Sequence, residues 1–473
     1  MSWECGSAIY ELGFPTARAD CLFPAIPPCL GNLHNNPGSD ESLALMKSWV
    51  YDCQRSHQVC KMPQQAGGPK RLLECLSESD GFVRLVETRS RPQRCDYIAL
   101  SYCWGDGTAV KKTTEETLHH HERGIPDESL PPLYREAVAL ARGLNIAYLW
   151  IDALCIIQDS PEDKEEELMQ MGNIFSGAFV VVVAASASSP LNSLLRVKPL
   201  SGQSNTWRTA LNSLLRVTPQ SDRSHTRRSA SLRGCAMNLD TPTAARAWCF
   251  QERLLASRCL VFCDDEVVWE CRSCCQCECG GQKGSASEPK SSVGMTRYQQ
   301  MLLPFAEHDP FQIDGNLKYF AATEEAYSFW ETAVENYSAR ALTFKTDRLP
   351  AISAVASIVA KATGDRYLAG LWRDNLLAGL GWAANTDRKH RNPRPYQEYV
   401  APTWSWASLP GGVHYPWSRR IRDPDFDALV LDACTGLEGQ DPYGRVSDAA
   451  IMLSGFHCNA NLKISKDSFR GRF

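Results

Sequence analysis

Several common signatures are missing from this sequence, and each absence removes a class of function. The chain opens Met1-Ser2-Trp3-Glu4-Cys5 with no basic segment leading into an apolar one, so no secretory leader is expected. Its strongest apolar run, Ala178 to Ala185, falls far short of the roughly 18 to 20 residues that cross a bilayer. No membrane span is therefore expected, and a cytoplasmic setting is. No long run of Lys and Arg occurs and the formal net charge is −4, which argues against a nucleic-acid partner. No glycine-rich turn ends in Lys-Ser or Lys-Thr, so a P-loop is absent. A cysteine hydrolase needs a thiolate beside a histidine and an orienting acid, and nothing in the chain implies a histidine beside Cys103 or Cys155.

What remains is long and globular in composition. At 473 residues the chain exceeds one ordinary core, so two or three domains are expected. Without a leader, its 20 cysteines are expected to be reduced thiols or metal ligands rather than a disulfide framework. Cys103, Cys155 and Cys249, each alone in an apolar segment, read as small buried hydrophobes.

Three regions follow from the pattern. Residues 1–95 are rich in Pro and Gly clusters and read as irregular, apart from a short helix at Ser42 to Cys53 and a strand at Phe82 to Glu87. Residues 96–285 carry the strongest order. Tyr97 to Trp104 is a buried strand stopped by Gly105-Asp106-Gly107. Pro131-Pro132 opens a helix to Gly143, and Ile146 to Ile151 is a second strand. Ser160-Pro161-Glu162-Asp163 caps a second helix, with Leu168, Met171, Ile174 and Phe175 inward. Phe179 to Ala185 is a third strand with no alternation, hence buried on both faces. This order predicts an α/β fold with a parallel βαβαβ sheet.

A Ser- and Arg-rich loop at 188–243 interrupts it and contains a duplication, Leu191 to Pro199 recurring as Leu211 to Pro219. Ala244 to Leu255 reads as a helix, and Cys259 to Cys263 with Val267 to Cys271 as a hairpin. Residues 286–473 read as mainly helical, at Ala321 to Tyr337, Leu349 to Ala362 and Tyr367 to Leu380, before a Trp-rich turn at Pro402 to Ser408.

In parallel sheets ligands bind beyond the carboxyl ends of the strands. Here those ends hold Gly105, Asp106, Asp152 and Ser186. Asp152, Asp106 and Glu252 are placed near one cleft, with Glu252 the best candidate for a catalytic carboxylate. The bland alternative has Asp152 capping its loop and Glu252 pairing with Arg246 or Arg253. Gln158 and Gln251 could fix a ligand amide, or make buried structural hydrogen bonds. Trp104, Trp150 and Trp248 could stack on a base, but core packing with bonded indole N–H groups is the commoner role.

Cys271, Cys274, Cys277 and Cys279 form a dense thiol cluster that zinc could use, with Cys53, His57 and Cys60 available to complete a site. Solvated thiols are the simpler account of that cluster. The tract His119-His120-His121 reads as solvated imidazoles in a polar loop.

Three blocks resemble the fungal heterokaryon-incompatibility (HET) domain family. They are Tyr97-Ile98-Ala99-Leu100-Ser101-Tyr102-Cys103-Trp104-Gly105, Tyr148 to Asp159, and Arg246-Ala247-Trp248-Cys249-Phe250-Gln251-Glu252-Arg253-Leu254-Leu255. Lys164 stands where the family usually has Trp, and Ala247 where it usually has Gly. The resemblance implies an intracellular effector of non-self recognition, causing growth arrest or programmed cell death, with an incompatibility partner or self-association. A suggested likeness of this family to TIR domains, some of which cleave NAD, makes an NAD-cleaving enzyme at Asp152 and Glu252 a second expectation. A zinc-stabilised interaction module without chemistry is a third.

Overall fold

A computed structural model describes residues 39–61, 68–76, 81–88, 95–108, 110–195, 241–264, 267–278, 282–283, 316–385, 395–416 and 428–455. Up to residue 283 the elements are α1 (Asp40–Ser56), β1 (Arg71–Glu74), β2 (Phe82–Glu87), β3 (Tyr97–Ser101), α2 (Glu115–Arg123), β4 (Ile125–Pro126), α3 (Pro132–Gly143) and β5 (Tyr148–Trp150). They continue with α4 (Asp152–Cys155), α5 (Pro161–Gly177), β6 (Val180–Val183), α6 (Pro242–Ala245), α7 (Trp248–Leu255), β7 (Arg258–Phe262), β8 (Val267–Cys271), β9 (Cys275–Cys277) and β10 (Gln282–Lys283).

All ten strands join one sheet in the order β10-β9-β8-β7-β6-β3-β5-β1-β2-β4. Strands β7, β6, β3 and β5 run parallel. The all-buried runs of β3, β6 and β7, such as Val180-Val181-Val182-Val183, are what a strand covered on both faces requires. On either side the pairing turns antiparallel, through β8 and β9 at one flank and β1 and β2 at the other. The fold is thus α/β with a large mixed sheet, where sequence pattern suggested a parallel one. The physical reason lies in the connections. The link from β7 to β8 is a short hairpin, and only a long crossover can return a chain parallel to itself.

The segment before residue 95 is less irregular than its composition suggested. β1 and β2 are integral to the sheet, and α1 buries Met46, Trp49 and Cys53 in the main core. Helix α5 starts as expected, with the Ser160 hydroxyl accepting from the Asp163 amide and Pro161 at the first helical position. The histidine tract is a correction. Thr114 and Thr117 form a capping box, so His119 to His121 lie in helix α2, and His121 is buried with Nδ1 2.8 Å from the Thr113 hydroxyl. Burial then lowers the His121 pKa.

The third block breaks into two helices. At Arg246 the backbone is extended (φ −87°, ψ 136°), because its neighbours bond sideways instead of along a helix: Ala247 N–H donates to Ala341 O, and Ala341 N–H to Ala245 O.

The C-terminal region packs a second core on α7. Its elements are α8 (Asn316–Ser338), α9 (Ser353–Thr363), β11 (Tyr367–Leu368), β12 (Leu371–Trp372), α10 (Leu376–Gly379), β13 (Ala383–Ala384), β14 (Val413–His414), β15 (Ala428–Leu437) and β16 (Val446–Gly455). It is mixed rather than mainly helical. Tyr367 to Leu380 is largely a tight hairpin, because Ala369 (φ 44°) and Gly370 (φ 100°) turn the chain over and end any helix. The Gly370 carbonyl accepts the indole N–H groups of Trp330 and Trp406, and a Cβ at Gly370 would lie 2.6 Å from Trp406 Nε1. Of the loop at 188–243, residues 188–195 and 241–243 are described. There Glu136 on α3 accepts the Ser193 hydroxyl and the amides of Leu194 and Leu195, anchoring the loop's start.

Candidate functional site

The three sequence blocks converge at the carboxyl ends of β3 and β5. Ser101 ends β3, and its hydroxyl donates to Glu252 Oε2 at 2.5 Å. Tyr102, the next residue, donates from its hydroxyl to Asp152 Oδ1 at 2.8 Å and shares a 2.5 Å hydrogen bond with Tyr134 of α3. The Trp104 indole donates to Asp152 Oδ2 at 2.8 Å. Arg246, in the break between α6 and α7, donates from Nη1 to the Tyr102 carbonyl at 3.1 Å. Its charge lies close enough to favour the ionised forms of Asp152 and Glu252. Helix α7 brings Glu252 and Cys249 to β3 while Phe250 packs on Tyr337 of the second core. Helix α7 is thus covered from both cores, and of its residues only Trp248 and Arg253 keep partial exposure.

The electrostatics of this centre are those of acids short of solvent. Burial pushes the Glu252 carboxyl up to about 7, against the Ser101 hydrogen bond and the Arg246 charge. Burial likewise raises Asp152, opposed by its bonds from Tyr102 and Trp104. The Cys103 thiol is pushed up to about 11, first by burial, and so stays protonated at neutral pH. Two buried carboxyls, both raised by burial beside a guanidinium, can take up a proton more readily than solvated acids.

Other expected residues fall differently. Asp106 is exposed in the turn, its carboxylate held below its usual range by bonds from the Thr108 hydroxyl and amide. Among the described residues, no hydrogen bond joins it to the other two acids. Gly105 sits in that turn at φ 67°, close against Ser189. Gln158 spends its amide on the carbonyls of Asp152 and Ile156, a local structural role. Gln251 is buried, with Oε1 accepting from the Ala354 amide in the second core. Trp248 is half-buried and donates to Asp347, whereas Trp150 is core, edge-on to Phe175, with its indole N–H unpartnered among the described residues. Arg253 pairs with Glu270. Asp152 also accepts the Ala153 amide in the first turn of α4. Sequence reasoning passed over Ser101 and Tyr102, although both lie inside the first block. Tyr134 carried no signal outside the three-dimensional packing.

A second cluster gathers sulfur. One ligand atom from each of Cys53, His57, Cys60 and Cys271 lies within 4.8 Å of all the others. Cys271 Sγ is 3.5 Å from His57 Nδ1 and 3.6 Å from Cys274 Sγ. Of the four thiols first considered, Cys271 belongs to this set and Cys274 adjoins it. Cys277 on β9 is held in a disulfide, and Cys279 lies outside the described residues.

Comparison with known proteins bears on the first cluster. Residues 97–252 match the family described as Heterokaryon incompatibility protein (HET). A stretch of 93 residues is 39% identical to heterokaryon incompatibility protein 6, OR allele, of Neurospora crassa, covering 18% of this chain and 14% of that protein. No solved structure matches the chain. Among the described residues, no helix is long and apolar enough to cross a membrane.

Proposed function

From a chain that carries a heterokaryon-incompatibility domain across residues 97–252, we propose an effector of fungal non-self recognition that arrests growth or triggers programmed cell death in the cytoplasm. One observation carries this reading. The matched segment contains the first two blocks and the third as far as Glu252, whose side chains meet at Ser101, Tyr102, Asp152, Arg246 and Glu252. The partner in this reading is an incompatibility protein or a second copy of the chain.

The test is inducible expression in a filamentous fungus, with hyphal viability followed by a vital dye. Wild type is expected to arrest growth, and Arg246→Ala, which disconnects the centre, is expected to restore it at equal protein level. Unimpaired growth under strong expression of folded wild type, including a forced-dimer fusion, counts against the proposal.

A second reading rests on the Glu252 carboxyl at about 7 beyond the ends of parallel strands. In it the centre hydrolyses the nicotinamide–ribose bond of NAD, water entering and nicotinamide with ADP-ribose leaving. Glu252 would take the water proton, and Asp152 would bind a ribose hydroxyl. Nicotinamide release from purified protein, lost in both Glu252→Gln and Asp152→Asn, is the expected result. Absence of release from wild type at any state of assembly sinks it.

A further inference from the structure

We propose that Cys53, His57, Cys60 and Cys271 together bind one structural zinc ion that clips the N-terminal segment to the outer strands of the sheet. The donors come from two places far apart in sequence. Cys53 lies in α1, His57 caps that helix, and Cys60 closes the 3-10 turn that follows. Cys271 is the last residue of β8. Their chemistry suits zinc: three thiols and one imidazole, four donors in all, is a standard closed tetrahedral set.

The spacing fits as well. Zn–S and Zn–N bonds of about 2.3 and 2.0 Å place neighbouring tetrahedral ligands about 3.5 to 3.8 Å apart. Cys271 Sγ and His57 Nδ1 are 3.5 Å apart, and all four donors lie within 4.8 Å. Cys53, Cys60 and Cys271 are buried, and all three are free thiols. Three thiolates around a divalent ion leave a single net negative charge, which needs compensation where water is scarce. The buried Arg258 supplies it, with Nε donating to Cys53 Sγ at 3.3 Å. The Cys274 amide donates to Cys271 Sγ at 3.3 Å, and the Ser273 hydroxyl lies 3.7 Å from Cys60 Sγ. These outer contacts orient sulfur lone pairs toward a common point. On binding, each ligating thiol releases its proton to solvent.

The ion would stabilise the fold by closing a loop of more than two-fifths of the sequence between Cys60 and Cys271. Its test uses the full chain, purified under reducing conditions. Elemental analysis is expected to give about one zinc per chain, falling about tenfold in Cys60→Ser and in Cys271→Ser. Cys434→Ser, an exposed free thiol on β15, is expected to keep the full content. His57→Cys rebuilds a four-sulfur set and separates loss of ligation from loss of folding. It is expected to retain metal and, with cobalt substituted, to show a stronger sulfur-to-metal charge-transfer band than wild type. Wild type that holds almost no zinc and gives no tetrahedral cobalt–thiolate spectrum overturns the proposal, as does a disulfide among these cysteines in the reduced preparation. Metal content unchanged in both serine variants overturns it equally.

Discussion

Two acidic centres flank α4, and they handle burial in opposite ways. Asp163 accepts from Arg71, Lys70 and the Ile157 amide. Burial alone would raise it, but Arg71 foremost among these partners outweighs burial and leaves it below the usual carboxylate range. Asp152 and Glu252 also have partners, yet these are mostly neutral hydroxyl and indole donors, and burial wins. Direct salt bridging therefore separates a structural acid from one poised to take up a proton at neutral pH. Glu167 lies between the two cases. It accepts the Lys70 amide, but its other oxygen has no partner among the described residues, and burial pushes it up to about 7.

The comparison breaks most visibly at Asp163. Asp163→Ala strips the buried Arg71 of its counter-charge and is expected to cost about 3 to 5 kcal/mol, read as a shift in the urea midpoint. Glu252→Gln acts in the other direction, and its sign can be worked out. Glu252 holds its proton more tightly folded, at about 7, than unfolded, so its contribution to stability is greatest at low pH and is lost as pH rises through 7. The glutamine variant should therefore gain on wild type by about 2 kcal/mol between pH 5 and pH 8 in paired denaturation curves. An unchanged gap would show that Glu252 stays ionised. Because Glu167 titrates in the same window, Glu167→Gln is the parallel measurement that apportions the slope.

Ser101→Ala removes the hydroxyl that favours the Glu252 carboxylate. The expected outcome is a higher Glu252 titration midpoint by carbon NMR and a stability loss of about 1 kcal/mol. A fall in the midpoint would reverse the assigned direction of that hydrogen bond. The smallest effect belongs to Asp106→Asn in the exposed turn, within about 0.5 kcal/mol of wild type and without consequence for growth arrest. A strong phenotype there would reinstate Asp106 in the site.

Much of the central fold was readable before any coordinates. The all-apolar run at Val180 to Val183, the Ser160-Pro161 cap and the hairpin from β7 to β8 are local signals, and each appears where its residues indicate. Strand order placed Ser101 and Tyr102 at the end of β3, where they meet Glu252 and Asp152. Harder to read were the features in which a neighbour overrules local preference. The Tyr367 to Leu380 segment has helical spacing, but Trp330 and Trp406 both bond the Gly370 carbonyl, and the hairpin wins. The His119 to His121 tract reads as polar loop until its capping threonines and the Thr113 contact are seen together.

Sequence alone indicated most of the strands and helices in the centre, because periodicity and caps act within a few residues, but not helix α2 or the break at Arg246. It also supplied the acids, the thiols and the family likeness. Tertiary structure decided which acid is structural and which is poised, since that depends on whether a guanidinium from another strand arrives within hydrogen-bond reach. It also brought Cys53, His57 and Cys60 to Cys271, with Cys274 alongside. Distance along a sequence sets no limit on distance across a folded core, and both selections are made by that second distance.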